Sequence, residues 1–97
     1  MNRARVASNL VKMTWMRNHQ AFATTDLDIN VVDWKTIDKE EWSRTEKVLV
    51  EVLRFINCGE SLIRLSELNL LSQDEQKIVA LSLNMLYNDM GLEENLV

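Results

Sequence analysis

Apolar residues recur at helical spacing over most of the chain, and the pattern divides it into elements before any chemistry is considered. Residues 3–18 are rich in Ala, Leu, Met, Lys and Arg, which predicts a first helix. At 100° per residue, Val6, Leu10, Met13 and Met16 form one stripe and Ala4, Ala7, Val11 and Trp15 a second, with the bases between them. A helix with two apolar stripes is built to touch two neighbours, and a second chain is a candidate for one of them.

Residues 19–37 read as an irregular connector. Thr24, Thr25, Asp26, Asp28, Asn30 and Asp33 favour turns, and a brief polar–apolar alternation at 28–31 permits a short extended stretch near 29–34. A second helix is predicted after Ile37, with Asp38 as N-cap and Glu40 and Glu41 in its first turn, where the helix dipole favours acids. Trp42, Leu49, Val52, Leu53 and Ile56 would share its apolar face. Glu40, Arg44, Lys47, Glu51 and Arg54 would share the polar one, with Glu40 and Arg44 as an i,i+4 pair. Asn57, Cys58 and Gly59 end it, the glycine suiting a left-handed C-terminal position.

A short helix is predicted over residues 61–67, capped by Ser61 and burying Leu62, Ile63 and Leu65. Ser72-Gln73-Asp74-Glu75 is a capping box, the sharpest local signature in the sequence, and starts a last helix over 73–90 that Gly91 stops. Its two stripes, Val79/Leu83/Leu86/Met90 and Ile78/Leu81/Met85, predict that this helix is the hub of the bundle. Residues 92–97 form an acidic tail unless Leu92, Leu96 and Val97 fold back.

The absence of proline and the presence of only two glycines among 97 residues remove most of the punctuation a β-fold requires. With 46% apolar and 27% charged residues, the chain has the composition of a globular protein. The expected fold class is all-α: a small bundle of three long helices plus one short one, in a single domain over 1–97 with a helical core at 38–91. Neither internal repeats nor sustained heptads appear. The lone Cys58 rules out an internal disulfide, and no signal-like leader or membrane-length apolar run is visible, so a cytoplasmic location is expected.

Charge changes the picture most. Residues 1–20 carry Arg3, Arg5, Lys12 and Arg17 with no acid, whereas the other 77 hold all fifteen acids and seven bases, a net −8. The basic segment suits a polyanion, an acidic partner, or the acidic body of this chain or a second copy. For nucleic acid, Asn2, Asn9, Asn18 and Gln20 could join the bases on phosphates and Trp15 could stack on a base, but four cations are few and the acidic body repels the same polyanion. Residues 71–79 resemble the first helix of the helix-turn-helix in response-regulator output domains and sigma factors. The resemblance is mostly the capping box, and no suitable recognition helix accompanies it, since 61–70 offers only Arg64 against Glu67.

Reactive residues are sparse. His19 lacks a second histidine and reads as a solvent-facing helix-end residue, Cys58 as a structural thiol beside an acid. Asp26, Asp28, Asn30 and Asp33 mimic a calcium loop, but a start at Asp26 puts Val31 where the loop needs glycine and Ile37 where it needs glutamate. The pairs Glu40/Glu41 and Asp74/Glu75 are explained by helix dipoles, and Glu93/Glu94 falls in the tail. Trp15 and Trp42 read as core. Trp34, in the connector, reads as a lid over the bundle, with an exposed anchor as the alternative.

The expectation is a non-enzymatic protein–protein interaction module, a small regulatory or accessory protein of bacterial, phage or mobile-element type, that presents a helical face to a partner or to itself as a homodimer. The partner-binding candidates are Arg3, Arg5, Val11, Lys12, Trp15, Met16, Arg17 and Trp34. A nucleic-acid-binding regulator using the basic helix is the alternative. No cofactor, metal, membrane or small-molecule substrate is expected.

Overall fold

The computed structural model of the protein describes residues 3–26, 31–61 and 63–89. It is all-α. Three long helices, α1 (Arg3–Lys12), α3 (Arg44–Cys58) and α4 (Gln73–Asp89), are joined by a short α2 (Trp34–Lys39) and by 3₁₀ turns at Trp15–Asn18, Gln20–Phe22 and Leu65–Leu70. The described residues contain no strand, only an isolated antiparallel bridge between Asp26 and Val31.

α1 stops six residues before the predicted end. The Thr14 hydroxyl donates to the Leu10 carbonyl at 2.9 Å, and Thr14 itself is extended at φ −127°. A threonine that satisfies the preceding turn with its side chain offers the backbone an alternative to helix. The chain bends there and turns Trp15 and Met16 inward.

The connector carries more structure than its composition suggests. His19 Nδ1 accepts from the Ala21 N–H and caps one 3₁₀ turn. Asp33 caps α2, accepting from the Thr36 N–H at 3.2 Å and from the hydroxyls of Thr36 (2.7 Å) and Thr24 (2.6 Å). These bonds favour the ionised carboxylate and lower the Asp33 pKa, the Thr24 hydroxyl contributing most.

The predicted second helix is therefore two helices, and its cap is Ser43 rather than Asp38. The Ser43 hydroxyl accepts from the Glu46 N–H at 3.2 Å while Glu46 accepts from the Ser43 N–H at 2.9 Å, which makes a second capping box and lowers the Glu46 pKa. Glu40 and Glu41 lie in the α2–α3 link, and Trp42 precedes the cap. At the other end Gly59 adopts φ +80°, as its position predicts.

Where a short helix from Ser61 was expected, the described residues form a 3₁₀ turn, Leu65–Leu70, that starts from Arg64. Leu65, expected inside, is 81% exposed. The Ser72/Glu75 capping box forms as predicted, with both bonds at 3.1 Å. Residues 90–97, which include the predicted glycine stop and acidic tail, and residue 62 lie outside the described residues.

The core is one cluster built on α3, which buries Val48, Leu49, Val50, Val52, Leu53 and Ile56. α1 contributes Val6, Ala7 and Leu10 and packs against both α3 and α4, whereas α3 and α4 touch each other little. α4 buries Val79, Ser82 and Leu86 and leaves Leu81 exposed, so the hub is α1 with α3, not α4. Burying seven successive or near-successive positions also takes in Glu51, placed by sequence on the polar face and here 2% exposed. Arg54 Nε donates to it at 2.7 Å, reaches Asp38 of α2 with Nη2, and covers the Trp34 ring at 4.3 Å. The two carboxylates outweigh the burial of the guanidinium and raise its pKa.

Candidate functional site

The basic N-terminal helix is largely committed to the chain's own fold. Arg3 Nε and Nη2 donate to the carbonyls of Ile56 and Phe55, each at 2.9 Å, which satisfies the last turn of α3. Met16 is fully buried, so it is core and not a partner contact. Val11 is half-buried against the same core. Arg5 and Lys12 are exposed residues that each have an interaction partner, and Arg17, also exposed, turns back toward the Lys12 carbonyl at 3.5 Å.

Trp15, proposed from sequence for an external surface, donates from Nε1 to Glu75 at 3.2 Å and sits 5.5 Å from the Trp42 ring. Trp42 is the centre of this aromatic cluster, 4.7 Å from His19 and 6.0 Å from Phe22, and its Nε1 donates to the Ile37 carbonyl at 2.9 Å. His19 is thus packed rather than solvent-facing. Trp34, at the start of α2, is half-buried beneath Arg54. The structure does not bring the eight sequence candidates together into one outward surface.

The same contacts fix helix polarity. The start of α1 lies at the end of α3 through Arg3, and the residues just after α1 lie at the starts of α3 and α4 through Trp42 and Glu75. α1 therefore runs antiparallel to α3, and the start of α4 lies beside the end of α1.

Between α3 and α4 opens a groove of about 460 Å³. Val52 and Phe55 form its α3 wall, and Val79, Leu83 and Tyr87, at i, i+4 and i+8, its α4 wall. Those three positions extend over about 12 Å at 1.5 Å per residue. The Leu65–Leu70 turn closes the third side. Side chains at i and i+3 eclipse in a 3₁₀ turn, so Leu65 and Leu68 form one ridge over the groove. Gly59, Glu60 and Ser61 complete the lining beside the α3 C-terminus, and Glu60 is its only charged side chain among the described residues.

Val79 is nearly inaccessible, whereas Leu65 is 81% and Tyr87 38% exposed, so the groove has an apolar floor and apolar rims in water. Its polar groups are one carboxyl, the Ser61 hydroxyl, which accepts from the Ile63 N–H, and the Tyr87 phenol. Such a lining buries apolar side chains and orients them with very few polar contacts. Among the described residues no group of three or more His, Cys, Asp or Glu side chains could hold a metal, and no helix is long and apolar enough to cross a membrane. Cys58, just outside the groove, is exposed.

No family model, curated protein or solved structure matches the chain.

Function therefore has to be read from the groove itself, since a helical bundle as a fold fixes none. The sequence held one usable signal for it: Val79, Leu83 and Tyr87 lie at helical spacing, and the first two stood in a predicted stripe. What hid the groove was the assignment of residues 61–67 to a helix, which turned Leu65 inward.

Proposed function

We propose that the protein is a non-enzymatic protein–protein interaction module, regulatory or accessory in role, that receives an apolar face of a partner's amphipathic helix in the groove between α3 and α4. The observation that carries this reading is the groove with its exposed Leu65 rim. The α4 stripe, about 12 Å long, faces Val52 and Phe55 of α3, and its length matches apolar anchors at i, i+4 and i+7 of a docked helix. With Glu60 the only charged lining side chain among the described residues, the rest of the lining is free to exclude water, which is what makes apolar anchors dominate such contacts.

Calorimetric titration with a synthetic amphipathic helix carrying leucines at i, i+4 and i+7 tests this. Leu65→Glu removes a rim contact worth about 1.5 kcal/mol or more and weakens binding about tenfold. Leu81→Glu, at another exposed leucine but outside the groove lining, leaves binding unchanged. Equal effects of the two substitutions, or no binding to the parent protein, would overturn the reading.

A further inference from the structure

We infer that His19 is a pH-operated latch on the chain between α1 and α2: its neutral ring closes the Gln20–Phe22 turn, and its protonated ring releases that turn while staying in the aromatic cluster. The inference is independent of the groove and starts from one hydrogen bond. His19 Nδ1 accepts from the Ala21 N–H at 3.1 Å. An imidazole nitrogen that accepts carries no proton, so the ring proton lies on Nε2 and the side chain is neutral in this arrangement. Protonation puts a hydrogen on Nδ1 as well, and a nitrogen that donates no longer caps the turn. Histidine is the side chain built to make this change between pH 5 and 8.

The surroundings hold the charged ring in place. The Trp42 ring lies 4.7 Å from it and the Trp15 ring 5.7 Å, inside the distance of about 6 Å at which a cation is attracted to an aromatic ring, and Phe22 closes the cluster at 6.4 Å. Two carboxylates stand around the cluster. Glu46 of α3, whose pKa is lowered first by its Ser43 bonds, is lowered further by the charge of His19, so the two groups attract. Glu75 of α4 reaches the cluster through Trp15 Nε1. The nearest base in sequence, Arg17, turns away toward the Lys12 carbonyl. With the imidazolium retained, it is the turn that gives. Ala21 is 2% exposed, and a buried N–H without a partner is costly, so the freed group reaches water only if the turn opens. That turn is the seat of α2, which packs on it, and Trp42 also donates to the α2 carbonyl of Ile37. Opening it loosens α2 and leaves the α1–α3 core intact.

NMR of the full chain from pH 8 to 5 at constant salt tests the latch. At pH 8 the ring nitrogens report the proton on Nε2. As the ring titrates, the Ala21 amide signal moves with the same midpoint, and at low pH its exchange protection is about fivefold less than in His19→Asn at the same pH. Asparagine keeps a side-chain acceptor that takes up no proton, so Ala21 stays bonded throughout in that variant. The methyl signals of Leu10, Leu49 and Ile56 hold still. A proton on Nδ1 at pH 8, or an Ala21 signal that ignores the ring titration, would overturn the latch. Core methyl signals that move with the same midpoint would show general acid unfolding and overturn it too. If His19→Asn does not fold, the tautomer and the shared midpoint in the parent protein decide the matter.

Discussion

Arg54→Met strands the Glu51 carboxylate, which is 2% exposed and receives its hydrogen bond from Arg54 Nε at 2.7 Å. Removing one partner of a buried pair costs about 3–5 kcal/mol because the remaining charge is left uncompensated. The Asp38 pair adds little, since Asp38 is 47% exposed and such pairs contribute about 0.5 kcal/mol. Loss of the guanidinium from the Trp34 face adds about 0.5–1 kcal/mol. With methionine restoring part of the lost packing, the net cost is about 3–4 kcal/mol, read as a lower urea midpoint at unchanged slope. Glu51→Leu in the same chain removes the stranded group, so the double variant recovers about 2–3 kcal/mol of the loss. A single variant costing under about 1 kcal/mol, or a double variant no more stable than the single, would refute the view that the Glu51–Arg54–Asp38 network exists to neutralise a buried acid while tying α2 to α3.

Three further outcomes are expected. Ser72→Ala removes the α4 cap and lowers stability by about 1 kcal/mol, a fall of about 4–8 °C in Tm for a domain of this size, while Glu75→Ala costs more because it also releases Trp15. Gly59→Ala costs about 1–2 kcal/mol from the left-handed backbone alone, since its Cβ would meet only the Arg3 guanidinium at an ordinary 3.5 Å; an unchanged urea midpoint would show that Gly59 does not hold φ +80° in solution. The pKa values of Asp33 and Glu46 are lowered on folding, so both carboxylates stabilise the fold above the usual carboxylate range and lose that effect as pH falls through about 4 and below; Asp33→Asn with Glu46→Gln flattens the acid limb of a stability–pH curve, and an unaltered limb would remove these caps as its cause.

Local signals that act within four residues were legible. The Ser72/Glu75 box and the Gly59 terminus were predicted because their hydrogen-bond partners lie next to them in sequence. The equivalent Ser43/Glu46 box was overlooked because Asp38 and the acids after it offered an earlier start that fits the same dipole rule. Thr14 ended α1 through a hydroxyl bond to Leu10, a choice that propensity alone does not reveal in a run of good helix formers. Tertiary pairings set the rest. Arg3, read as an outward base, is consumed by α3 carbonyls more than fifty residues away, and Glu51 is buried because Arg54 and Asp38 accompany it. The groove combines stripes from two helices that hardly touch one another, and nothing in a single sequence states which two stripes will face across a gap.

Methyl NMR spectra of the full chain, recorded as the synthetic leucine-stripe helix is added, test the central claim most directly. The account predicts that the signals of Val52, Ile63, Leu65, Leu68, Val79 and Leu83 shift together along one binding curve while Val6, Leu10 and Leu81 hold still. Shifts centred on Val11 and the exposed face of α1, or none at saturating peptide, would contradict it.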